Sequence, residues 1–173
     1  MWVLLLRAVN VGGRNRLPMA DLTKVLTSLG HTRVSTLLAS GNAVFASPRT
    51  DPAALAREIE SALQEQLGLD LRVAVRRPTD LQVALRDLPD LPGYALIAFL
   101  MGEPEPAALH ALLDTDWSPD VALSGAGVLY LGYPAGAGRS RLSTARIERA
   151  LGMPCTARTP ATVRSLLQRA ESA

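Results

Sequence analysis

"LLASGNAVF" (37–45) and "ALSGAGVLY" (122–130) are two versions of one hairpin, each an apolar run, a turn containing Ser-Gly, and a returning apolar run. Working outward from the first copy, "RVSTLLA" (33–39) reads as a strand, "SGN" (40–42) as a tight turn and "AVFAS" (43–47) as the strand that comes back. Upstream, Pro18 opens a helix whose Leu22, Val25, Leu26 and Leu29 form one apolar stripe, stopped at Gly30. Before it, "WVLLLRAV" (2–9) is rich in Val and Leu without alternation, the pattern of a central strand buried on both faces. Downstream, Asp51-Pro52 caps a helix carrying Leu55, Ile59, Leu63 and Leu67 to Gly68, and "LRVAVRR" (71–77) alternates as a strand. The order is β-α-β-β-α-β, which is ferredoxin-like.

The second copy sits in the same order. "YALIAFLM" (94–101) is a buried strand, and Pro104 and Pro106 start a helix with Leu109, Leu112 and Leu113 inward. The hairpin follows. Ser140 then caps a helix with Ile147, Ala150 and Leu151 inward, "CTAR" (155–158) is a short strand, and Thr159-Pro160 caps a last helix with Val163, Leu166, Leu167 and Ala170 on one stripe. Between the copies, Thr79 caps a short helix with Leu81, Leu85 and Leu88 inward. The expected class is α+β: two ferredoxin-like halves packed together, with antiparallel or mixed sheets and helices. The first half is expected at 1–77, a helical linker at 78–93, and the second half with its C-terminal helix at 94–173. The element order repeats although the residues hardly do.

Composition narrows the classes. The chain has 173 residues, nearly half of them apolar, enough for one domain or two small ones with a shared core. Cys155 is the only cysteine, which excludes a disulfide framework and a multi-cysteine zinc site and fits a reducing cytoplasm. "MWVLLLRAV" is short for a signal sequence, and no segment approaches the roughly 20 apolar residues of a membrane span. Charge is unevenly spread. Residues 1–50 carry six basic and one acidic residue, 51–138 five basic and thirteen acidic, and 139–173 seven basic and two acidic. The basic ends either pair with the acidic middle or, where they meet, form a positive patch.

The loop "RAVNVGGRNRLPM" (7–19) lies between a strand and a helix start. Glycines leave backbone N–H groups open to a ligand, a helix start carries partial positive charge, and Arg14 and Arg16 can fork onto phosphate oxygens. The loop lacks the Gly-Lys-Ser/Thr of a Walker loop and the G-x-G-x-x-G of a dinucleotide fingerprint. The other reading is a turn requiring positive φ, with solvated arginines. "PAGAGRSRL" (134–142) repeats this grammar, and Arg158 stands beside another helix start. Ser140 is a cap rather than a nucleophile, and His31 and His110 are structural. Asp114 and Asp116 belong to a solvated loop, Cys155 has no evident base beside it, and no His/Asp/Glu spacing suggests a metal. Strand aromatics such as Trp2, Phe45, Phe99, Tyr130 and Tyr133 invite comparison with RNA-binding sheets. They lack the Arg/Lys-Gly-Phe pattern of those modules and read as core.

Residues 5–45, with Leu5, Leu6, Arg7, Asn10, Val11, Gly12, Gly13, Asn15, Met19, Leu22, Gly30, Val34, Thr36, Ser40, Gly41, Asn42 and Phe45, closely resemble the opening of the bacterial domain of unknown function 1697 (DUF1697) family. "GRSRL" (138–142) and "TARTPATVRSLL" (156–167) resemble its later motifs. Ala8 stands where that family usually has Gly, Leu37 where an aromatic is usual, and Thr159, Pro160 and Ala161 where Asn-Trp-Asn is usual. The resemblance implies an α+β fold of duplicated ferredoxin-like subdomains and no established activity.

Together these readings point to a cytoplasmic module that binds a phosphate-bearing ligand, a nucleotide, phosphate or nucleic acid. Its surface would comprise Arg7, Asn10, Gly12, Gly13, Arg14, Asn15, Arg16, Ser40, Gly41, Asn42, Arg139, Ser140, Arg141 and Arg158. No cofactor, metal site, membrane partner or oligomeric state is assigned. Two alternatives stand beside it: a metal-assisted phosphoryl or nucleotidyl enzyme, and an assembly protein without a small-molecule site.

Overall fold

β1 (Trp2–Leu6) is buried at every residue, as an unalternating Val/Leu run requires, and lies between two partners. In the computed structural model, which describes residues 1–10 and 16–173, β1 pairs antiparallel with β3 (Asn42–Ala46) and with β4 (Val73–Arg76). β2 (Thr32–Leu37) closes the other edge, and the sheet runs β2-β3-β1-β4. Strand alternation gives the sheet two faces. Trp2, Leu4, Leu6, Phe45, Val73 and Val75 meet α1 (Met19–Ser28) and α2 (Pro52–Leu67), which contribute Leu22, Val25 and Leu26, and Leu55, Ile59 and Leu63. On the opposite face Val3, Leu5, Asn42, Val44 and Ala74 are buried as well.

After α3 (Pro78–Arg86) the same order is built again. β5 (Tyr94–Leu100) is central, between β7 (Val128–Tyr133) and β8 (Cys155–Arg158), and β6 (Val121–Gly125) lies at the edge in the order β6-β7-β5-β8. Ala98, Leu100, Leu129, Leu131, Tyr133 and Cys155 pack with Leu112 of α4 (Pro106–Asp114) and with Ile147 and Leu151 of α5 (Thr144–Leu151). The Tyr130 hydroxyl, on the other face, donates to the Ala84 carbonyl at 3.0 Å. α6 (Pro160–Glu171) ends the chain. By compactness the chain divides into Met1–Leu81 with Arg164–Ala173, and Gln82–Val163. The last ten residues thus group with the first unit, whereas the sequence pattern puts the whole last helix with the second half. Among the described residues no helix is long and apolar enough to cross a membrane.

Local signals hold where one residue decides them. The Asp51 carboxylate accepts from the Ala53 N–H at 2.8 Å and caps α2, Gly68 ends it, and Thr159 Oγ1 accepts from the Thr162 N–H at the start of α6. Four expectations are corrected. Ser143, not Ser140, caps α5 through the Arg146 N–H. Asp80, not Thr79, braces the start of α3 by accepting from the Arg77 N–H at 2.8 Å. Leu67 is exposed because it lies in the last turn of α2, and Ala150 is exposed because α5 buries Ile147 and Leu151 instead.

The repeat extends to single hydrogen bonds. The Leu6 N–H donates to the Gly41 carbonyl at 2.8 Å and the Arg7 N–H to Arg72 at 2.9 Å; the Leu100 N–H donates to Gly127 at 3.1 Å and the Met101 N–H to Pro154 at 3.0 Å. Gly41 and Gly127 therefore occupy one position in two halves, and both have left-handed φ, +76° and +68°. A Cβ on Gly41 would lie 2.4 Å from Val9 Cγ1 and 2.8 Å from Leu6 Cβ, whereas one on Gly127 would meet nothing within 4 Å. Gly127→Ala should cost about 1 kcal/mol for the left-handed backbone alone. Gly41→Ala should cost about 2–4 kcal/mol, because overpacking adds to it. Urea denaturation of both variants checks this; an equal or smaller loss at Gly41 contradicts it.

Candidate functional site

Two of the segments singled out in the sequence meet at the end of β1. Asn10 sits at φ +55°, a region that Asn tolerates better than most residues. Its Nδ2 donates to the Leu17 carbonyl at 3.0 Å and to the Ala39 carbonyl at 2.6 Å, and its Oδ1 accepts from the Leu17 N–H at 2.9 Å. One side-chain amide thus holds both polar groups of Leu17, seven residues away, and ties them to the β2–β3 turn. Val9 and Leu17 are buried beside it, and Val9 lies over Gly41. The Asn42 side chain is fully buried and donates to the Leu37 carbonyl at 2.9 Å and to Ser40 Oγ at 3.0 Å, closing the turn from inside. Asn10, Gly41 and Asn42 are therefore brought together as a scaffold, with Ser40 exposed on its outer side.

Gly12, Gly13, Arg14 and Asn15 lie outside the described residues, which resume at an exposed Arg16. Arg7 is half-buried, and its N–H is held by Arg72. Pro18, at the N-cap of α1, supplies no capping side chain.

The second basic loop is organised differently. Ala137–Arg139 form one 3₁₀ turn. Ser140 Oγ donates to Asp120 Oδ2 at 2.5 Å and accepts from the Leu142 N–H at 2.8 Å, and Arg141 Nη2 reaches the Asp116 carbonyl at 3.1 Å. Arg139 is exposed. Asp120 and Asp116, the partners here, carry no local signal in the sequence, because they stand 20 and 25 residues upstream.

Arg158 lies on β8, 9% exposed, with Nη1 donating to Thr156 Oγ1 at 2.7 Å and to the Ala157 carbonyl at 2.8 Å; burial pulls its guanidinium down to about 10. Arg76 ends β4 at the equivalent register, opposite Val3 as Arg158 is opposite Ile97, and likewise bonds the preceding carbonyl, Val75, at 2.9 Å. Burial lowers its pKa too, with Asp80 opposing the shift. Sequence reasoning missed Arg76; aligning "RVAVR" (72–76) with "PCTAR" (154–158) is the signal that finds it.

Other candidates resolve into packing. His31 is buried, its ring centroid 4.7 Å from that of Phe45, and burial lowers its pKa against the opposing pull of Glu58. Cys155 is buried, and its N–H donates to Glu148 Oε1 at 2.9 Å. Trp2, Phe45, Phe99, Tyr130 and Tyr133 are all buried, so they offer no face for stacking bases. Among the described residues no group of three His, Cys, Asp or Glu is placed to hold a metal ion. At the chain's end, Arg169 Nη1 donates to Ser35 Oγ at 2.6 Å and Arg33 Nη1 to the Ala173 carbonyl at 2.8 Å, so the last turn of α6 is fastened to β2.

The family described as "Protein of unknown function (DUF1697)" matches residues 1–130. The chain belongs to the DUF1697 family. Conserved bacterial protein SP0830 from Streptococcus pneumoniae is similar in structure, with a TM-score of 0.75 and 24% identity over 98% of this chain and 97% of that one, which shows the shared fold. No curated protein matches.

In this DUF1697 chain, Ala8, where the family pattern usually has Gly, sits at φ +52°. A left-handed residue there sends the backbone from β1 toward Asn10. The Asn10 clip makes three hydrogen bonds with one side chain, so Asn10→Ala should lower stability by about 1–3 kcal/mol. Guanidinium denaturation checks this; a loss below about 0.5 kcal/mol, the scatter of ordinary surface substitutions, refutes the scaffold role.

Proposed function

We propose that this protein is a cytoplasmic binding module for a phosphate-bearing ligand, a nucleotide or nucleic acid, held at residues 11–16. The observation that carries the reading is the Asn10–Leu17 clip, which ties together the two ends of a segment containing two glycines and two arginines directly ahead of α1. Clamping a loop at its base lowers the ordering cost of binding. The glycine N–H groups, the forks of Arg14 and Arg16, and the start of α1, where Pro18 supplies no capping side chain, would then meet phosphate oxygens. Arg7 and the outer face of Ser40 would flank them, and Arg139 is the exposed arginine of the second loop. Asn10, Gly41, Asn42, Ser140, Arg141 and Arg158 support the backbone and are not assigned to the ligand.

The test is fluorescence anisotropy of a labelled single-stranded oligonucleotide and of a labelled nucleoside triphosphate. At 50 mM salt at least one should bind. Oligonucleotide affinity should fall roughly twentyfold by 200 mM salt if about three phosphates are neutralised. Arg14→Ala with Arg16→Ala should weaken binding while leaving Tm unchanged. Absence of binding by both probes at low salt, or undiminished binding by the double variant, would overturn the reading.

A further inference from the structure

The two halves differ most where their central strands end. In the first, twelve residues connect β1 to α1, and Val9 and Leu17 from that connection are buried, Val9 directly over Gly41. In the second, five residues connect β5 to α4. Among the described residues no side chain takes the place of Val9, and the space around a Cβ on Gly127 is open to 4 Å. A cavity of about 460 Å³ lies there, walled by Leu100, Leu109, Val128 and Leu129 with Glu103 and His110. Leu100, Val128 and Leu129 are at most 3% exposed, so the cavity has a floor of buried hydrocarbon. Its size falls within the roughly 300–1,000 Å³ of small-molecule sites.

The geometry points to a binding site for a small, neutral, branched-aliphatic molecule, which would fill in the second half the space that Val9 fills in the first. Apolar walls favour an apolar occupant, and an unpaired charge would lose its hydration there. Among the described residues no lysine or arginine lines the cavity, while Glu103 does, so an anion is disfavoured. This site is therefore separate from the phosphate-binding reading and stands without it.

The test is a titration of the methyl-labelled protein with 3-methylbutan-1-ol, followed by NMR, beside a titration with 3-methylbutanoate at pH 7. The alcohol should give saturable shifts at the Leu100, Leu109, Val128 and Leu129 methyls, and the carboxylate should bind more weakly. Ser124 and His110 are exposed residues of the cavity lining, so Ser124→Phe and His110→Trp each place an aromatic ring in the space without touching the core. Saturation should be lost in whichever of these keeps the wild-type Tm. Linear, unsaturable shifts with the alcohol overturn the proposal. So does equal or tighter binding of the carboxylate, or unchanged saturation in both filled variants.

Discussion

Each central strand ends by donating its last amide to a left-handed glycine in the neighbouring hairpin, Leu6 to Gly41 and Leu100 to Gly127. This contact determines where the hairpin turn lies relative to the outgoing chain, and thus what the following connection must pass over. The rest of each half is conventional for its topology: a fully buried central strand, two helices on one face, and edge strands that complete the sheet. The connection after the central strand is the place where each half is free to differ, twelve residues in the first and five in the second.

The halves use that freedom in opposite ways. The first spends twelve residues there, and a longer connection costs ordering entropy that something must offset. Burial of Val9 and Leu17, together worth about 3–6 kcal/mol at full burial, and the three hydrogen bonds of Asn10 offset it. The scaffold is thereby separated from the segment it carries: the residues that hold the base are apolar or amide, and the six between them include two glycines and two arginines. The second half has a short connection and leaves its turn uncovered. Its basic loop lies instead after β7, where Asp120 and Asp116 hold Ser140 and Arg141 in place.

Much of this fold was legible in the sequence because local physics decides it. Asp51 before Pro52 has one sensible role, and the run Trp2–Leu6 can be buried only as a central strand. What was not legible depends on partners distant in the chain. Ser140 and Ser143 both precede a helix and both are good caps; Asp120, twenty residues upstream, takes Ser140 away. Asn10 in a glycine-rich loop has the same local signature whether it faces a ligand or holds a turn, and the Ala39 carbonyl that its amide meets is 29 residues away. Arg158 sits next to a helix start, which suggested a surface role, but the pairing of β8 with β5 turns it into a buried face. Of the residues expected at the site, those held by such distant contacts support the backbone, and the exposed Arg16, Ser40 and Arg139 remain candidates for binding, with Arg7 and with Gly12, Gly13, Arg14 and Asn15, which lie outside the described residues.

The central claim is that the Asn10 amide closes the base of the first connection, and hydrogen exchange at one backbone amide tests it most directly. The Leu17 N–H has Asn10 Oδ1 as its acceptor, while the Leu6 N–H is held by Gly41 independently of Asn10. In the unmodified protein both amides should exchange slowly. In Asn10→Ala the Leu17 amide should exchange at close to the rate of a solvent-exposed amide while Leu6 keeps its protection. Fast exchange of the Leu17 amide in the unmodified protein, or undiminished protection in Asn10→Ala, would contradict the account.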